Sequence, residues 1–120
     1  MSSIPDVRTT YYDNGNKCSE HTYVNGELHG LCHEWHENGN KYIEETYVNG
    51  ILHGVIHEWF GDGTKMSECT YTNGKLNGVY HSWYENGIKC GEITYVDDVQ
   101  TGVSQAWDRT GKPMKCIMIS

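Results

Sequence analysis

The sequence predicts an all-β protein: a single-layer antiparallel meander of about ten strands, built from five 24-residue β-hairpin repeats and twisted or partly rolled. Three observations lead there. Trp recurs at 35, 59, 83 and 107, and Tyr at 23, 47, 71 and 95, each at a step of 24. Gly keeps that step in two columns, at 15, 39, 63, 87 and 111 and at 30, 54, 78 and 102. Between these fixed points apolar and polar residues alternate with a period of two, as in a half-buried strand, and Asn-Gly pairs stand where hairpin turns belong.

The chain reads as one domain over 1–120. Its units run about 7–30, 31–54, 55–78 and 79–102, with a degenerate unit at 103–120. The first unit opens with Val7, Thr9 and Tyr11, where later units have Leu or Val, His and Trp. In the second unit Leu31, His33 and Trp35 alternate with Cys32, Glu34 and His36; Val55, His57, Trp59 and Val79, His81, Trp83 repeat the pattern. Asn38-Gly39 and Asn49-Gly50 are 11 residues apart, too close for a helix between them, so each unit is two strands and two turns. With a two-residue turn at each, Trp35 faces Tyr42, His33 faces Glu44 and Tyr47 faces Leu52. Passing both turns then advances the chain by 22 residues where the repeat needs 24. Either each repeat slips by two, or a bulge absorbs them, with Gly30, Gly54 and Gly78 as the bulge candidates. One face carries the Trp, Leu/Val, His, Glu and Thr columns. The other carries Tyr, Leu28, Leu52, Leu76 and the variable column Ile43, Cys69, Ile93. The last unit decays: Asp97-Asp98 replaces Asn-Gly, and residues 115–120, KCIMIS, read as an apolar terminal edge strand.

Composition narrows the function. A net charge of −7, from 16 acidic and 9 basic side chains, disfavours nucleic acid, whose phosphates demand Lys and Arg. It equally disfavours a basic grip on anionic lipid, so a membrane role is not expected, and a basic protein partner suits the chain better. No apolar run reaches the length of a membrane helix, and MSSIPDVRTT does not read as a secretory signal. Five Cys without a CxxC pair suggest reduced thiols and a cytoplasmic setting.

The candidate residues fall in columns. His33, His57 and His81 lie two strands apart, roughly 9.6 Å, whereas zinc ligands converge within about 2 Å of one ion. No metal and no cofactor is expected; the histidines read as cross-strand partners of Glu44, Glu68 and Glu92. Repeated carboxylates in equivalent settings are poor acid–base pairs, because catalysis needs two different pKa values. No enzyme activity is expected. Trp35, Trp59, Trp83 and Trp107 supply either the core of a thin fold or an aromatic strip for a peptide or a carbohydrate. With His33, His57, His81, Glu44, Glu68 and Glu92 they are the candidate partner-binding residues. The terminal edge strands are candidates for self-association or strand addition.

The segments YVNGELHGLCHEWHENGNK, YVNGILHGVIHEWFGDGTK and YTNGKLNGVYHSWYENGIK resemble MORN repeats. They are closest to the variant found in bacterial YwqK-like antitoxin proteins and in bacterial and giant-virus proteins. The resemblance covers residues 7 to 112. It implies antiparallel hairpin arrays acting as scaffolds, dimerisation elements or binding surfaces. It also implies, more narrowly, an antitoxin-like inhibitor of a basic toxin or a virus-encoded scaffold.

Overall fold

The computed structural model describes residues 4–114; the expected terminal strand at 115–120 lies outside the described residues. They form one open antiparallel sheet with no helix. Its strands are β1 Asp6–Tyr11, β2 Lys17–Val24, β3 Glu27–Leu28, β4 Gly30–Trp35, β5 Lys41–Val48, β6 Ile51–Leu52, β7 Gly54–Trp59, β8 Lys65–Thr72, β9 Lys75–Leu76, β10 Gly78–Trp83, β11 Lys89–Val96 and β12 Val99–Ala106. Nine of the twelve follow the chain as a meander, and the two-residue β3, β6 and β9 pair with β2, β5 and β8. The expected all-β, single-layer architecture is therefore present, and its thinnest dimension is 15 Å against 53 and 36 Å.

Two kinds of turn alternate. Asn25, Asn49 and Asn73 have φ near +50°, each followed by a Gly near +80°. These are the expected two-residue type I′ turns, and Tyr47 faces Leu52 as they require. The turn at Asn38-Gly39 differs. Gly39 N donates to His36 O and His36 N to Asn40 O, and only Gly39 has positive φ. The loop is thus three residues, a type I turn closed by a left-handed glycine. Its extra residue shifts the pairing: Trp35 faces Lys41, not the expected Tyr42, and the register is restored at Glu34–Ile43 and His33–Glu44. Asn38 supports this geometry: its φ is not positive, and its Oδ1 accepts from Asn40 N two residues on.

The glycine bulge also resolves the 22-against-24 question. Tyr47 pairs with Leu52, but Glu44 pairs with His57, so His53 and Gly54 are the two surplus residues. Gly54 sits at φ +107°, Gly30 at +94° and Gly78 at +108°. The bulge makes the step 24, and every repeat lies in register beside the last with no accumulated slip.

The sheltered face is the Tyr face. Among the described residues Cys32, Ile56 and Cys69 are the buried hydrophobic ones, joined by Ser67, and all four share it. Trp35, Trp59 and Trp83 are half-buried on the other face, neither fully enclosed nor fully open. A single layer leaves their outer edge no second layer to pack against.

Candidate functional site

The register places the predicted columns in two continuous rows. Along the first run Thr9, Glu20, His33, Glu44, His57, Glu68, His81, Glu92 and Gln105, each the Cα partner of the next. Each His is flanked by a Glu on both neighbouring strands. His33, His57 and His81 hold Nδ1 at 3.3, 3.1 and 3.4 Å from Glu44, Glu68 and Glu92, outside hydrogen-bond geometry, so the contact is charge-to-ring. Among the described residues no cluster of His, Cys, Asp or Glu has the geometry of a metal site.

The second row alternates Lys and Trp. Trp35, Trp59 and Trp83 face Lys41, Lys65 and Lys89. Lys17, Lys41 and Lys65 also lie over the Trp35, Trp59 and Trp83 rings of the following repeat, 5.3–5.7 Å from the centroids, a cation–π arrangement. His33, His57 and His81 stack on the same indoles at 5.6–5.9 Å. Trp107 is tied by its backbone to Cys90 and accepts from the Tyr84 hydroxyl.

Lysine links the two rows. Lys17, Lys41, Lys65 and Lys89 reach Glu20, Glu44, Glu68 and Glu92 three residues on. Those hydrogen bonds lead in holding Glu20, Glu68 and Glu92 below the usual carboxylate range. At Glu44 burial pushes upward most strongly, but Lys41 and the adjacent His33 and His57 outweigh it, and its pKa is also lowered. Four lysines thus balance four glutamates.

A third row on this face is the Leu/Val column, which nothing among the described residues covers. Val7, Leu31, Val55 and Val79 stand 54, 51, 42 and 38% exposed, one per repeat. Val48 and Ile51, at a hairpin tip on the same face, are also exposed. Between Val55 with His57 and Val79 with His81 lies a depression of about 400 Å³, with Glu68 and Thr70 as its floor. The signal in the sequence was an apolar column in a fold with no second layer to cover it.

The second His column has a structural role. His29 and His53 accept through Nδ1 from the backbone N–H of Asn49 and Asn73 in the next repeat's turn, and Asn77 serves Asp97 in the same way.

The opposite face collects Glu34, Glu45 and Glu58. Burial, then repulsion from Glu34, raises the Glu45 pKa. Among the described residues the edge strand β1 has a partner on one side only, and Tyr11 on it is exposed.

A family model described as MORN repeat variant matches residues 7–25, 28–49 and 76–97, just over half of the chain. No curated protein matches in a sequence search. The unmatched stretch between them carries Phe60-Gly61-Asp62-Gly63, where the first, second and fourth units have Tyr or His, Glu or Asp, Asn and Gly, yet it folds as the same hairpin. Hairpin after hairpin in one register, with the matching stretches on three of them, the chain belongs to the MORN repeat variant family.

Proposed function

We propose that the protein is a non-enzymatic binding scaffold whose contact surface is the face bearing the aliphatic row, with the His–Glu and Lys–Trp rows as its polar flank. MORN repeats are commonly protein-interaction or scaffold modules. The observation that carries the assignment is the unpartnered line Val7, Leu31, Val55, Val79, repeated apolar exposure of the kind that marks interaction sites. Trp35, Trp59, Trp83, His33, His57, His81, Glu44, Glu68 and Glu92 then act chiefly as a rigid, charge-balanced platform. The partner is a basic protein, a choice supported by the net charge of −7. An antitoxin-like inhibitor of a basic toxin is the sharpest form of this reading, and a bacterial or viral scaffold the broader one. A cytoplasmic setting is supported by Cys18, Cys32, Cys69 and Cys90 all being free thiols.

The test is affinity capture from native cells with three baits: the wild-type chain, Val55→Asp, and Glu45→Gln on the opposite face. A partner held by wild type and Glu45→Gln but lost by Val55→Asp is the expected result. Equal capture by all three removes the assignment of this face.

A further inference from the structure

The aliphatic row repeats every two strands, about 9.6 Å. A ligand that meets the row more than once must share that period. An α-helix has a pitch of about 5.4 Å. An extended strand returns a side chain to one face every ~6.7 Å. Neither fits. A polyproline II helix has three residues per turn at about 3.1 Å each, so every third side chain returns to one face after roughly 9.3 Å. The mismatch is a few tenths of an ångström per repeat, and three successive contacts stay within about 1 Å of register.

The depression matches in chemistry as well as in pitch. Its walls, Val55 and Val79, are aliphatic, and its floor is Glu68 and Thr70, with His57 and His81 on the rim. A pyrrolidine ring can enter between the valines. The backbone carbonyls of a polyproline II helix have no internal partners and can accept from a hydroxyl or an imidazole. The register places the same residue types one repeat earlier, with Leu31 and His33, then Glu44 and Thr46, then Val55 and His57. Charge adds direction. The ladder glutamates are already paired with lysines, but the adjoining hairpin tips carry Glu27, Asp97 and Asp98 against Lys75. Basic residues between the prolines would meet that excess. A polyproline II segment is also largely ordered before it binds, so little entropy opposes docking on a shallow surface.

Resting on the interaction face proposed above, we infer that its occupant is a proline-rich, basic segment in polyproline II conformation, with proline at every third position. It crosses the strands along Leu31, Val55 and Val79.

The experiment uses the full chain and two labelled 15-residue peptides of identical composition, each with four Pro among Arg and Ser. One spaces its prolines three residues apart and the other four apart. The period-three peptide is expected to bind at least tenfold more tightly by fluorescence anisotropy. Val55→Asp and Leu31→Asp, each checked for an unchanged far-UV spectrum, should each lose tenfold or more; two sites keep the test open if one variant fails to fold. Equal affinity for the two peptides would overturn the inference, leaving simple charge attraction. Failure of both to bind would overturn it as well. If wild type still captures a cellular partner that Val55→Asp loses, the face stands and only the proline-rich occupant falls. If capture is also indifferent to Val55→Asp, both readings fall.

Discussion

The side chain of Asn38 donates through Nδ2 to the carbonyl of Gly61, 2.6 Å away and one repeat further on. The same staple joins Asn14 to Glu37 and Asn86 to Arg109. A second staple runs beside it, from Tyr12 to the carbonyl of Trp35 and from Tyr84 to that of Trp107, with His36 serving Trp59. The third unit breaks both series, because Asp62 has no donor and Phe60 no hydroxyl. Asp62 instead accepts from the amide and hydroxyl of Thr64. The junction between the third and fourth loops is therefore the least tied among the described repeats. Asp62→Asn should add a bond to the Glu85 carbonyl, and Phe60→Tyr one to Trp83. Each is expected to contribute about 1 kcal/mol, raising Tm by roughly 3–6 °C per substitution. Hydrogen exchange at residues 84–88 should slow in the double variant. An unchanged Tm and unchanged exchange would show that this junction is already held by its strands alone.

Ile56 and Val55 are neighbours in β7 on opposite faces, 7 and 42% exposed. The sheltered side pairs Ile56 with Cys69. Ile56→Ala should cost about 2–4 kcal/mol, from lost burial and the cavity left behind. Val55→Ala should cost well under 1 kcal/mol or so, since the surface it loses is largely in water already. Urea denaturation of the two variants checks this, and comparable losses would mean that both faces bear the fold equally.

Much of this arrangement was legible in the repeat. The period, the type I′ turns, the Tyr47–Leu52 and His33–Glu44 pairs and the two face assignments all follow from spacing and alternation. What was hidden depended on distinguishing one Asn-Gly from another. Asn49 is left-handed and Asn38 is not; Asn38 Oδ1 accepts from Asn40 N and its Nδ2 reaches the next loop, while Asn49 N donates to His29. Spacing alone sets Trp35 against Tyr42, and the Lys–Trp row follows only from the three-residue loop. The second flank of each His, such as Glu44 beside His57, needed the two-residue bulge at His53-Gly54. The Leu/Val row was legible but its exposure was not, because alternation says which residues share a face, not whether anything covers it.

The carboxylates set opposing pH dependences. Glu20, Glu44, Glu68 and Glu92 titrate below their unfolded value. A depressed folded pKa contributes stability that is present above the unfolded pKa, about 4.5, and is lost as pH falls through the folded value. Stability should therefore drop between neutral pH and pH 3, and Glu44→Gln should flatten that drop. Glu45 is raised, so its charge opposes the fold above its folded pKa. Glu45→Gln should stabilise the protein at pH 7, and the gain should vanish in acid, where the native Glu is protonated in both states. Denaturant titrations at pH 7, 5 and 3 decide it. A gain for Glu45→Gln that persists at pH 3 would show that packing, not charge, is responsible.

The thiols should separate by face and depth. Cys69 is buried, and burial, with Glu58 and Glu68 nearby, pushes its pKa up to about 11. Cys32 is shifted upward by the same leading cause. At pH 8 the reactive thiolate of Cys69 is then present at roughly a thousandth of the total, before access is considered. Cys18 and Cys90 are only half-buried, each beside a tyrosine hydroxyl, Tyr12 or Tyr84. Iodoacetamide at pH 8 should label Cys18 and Cys90 in the native protein while Cys32 and Cys69 remain unmodified, and urea should expose all four together. Peptide mapping by mass spectrometry reads each site. Early labelling of Cys69 would mean that the Tyr face opens without global unfolding, which the in-register pairing of β7 with β8 argues against.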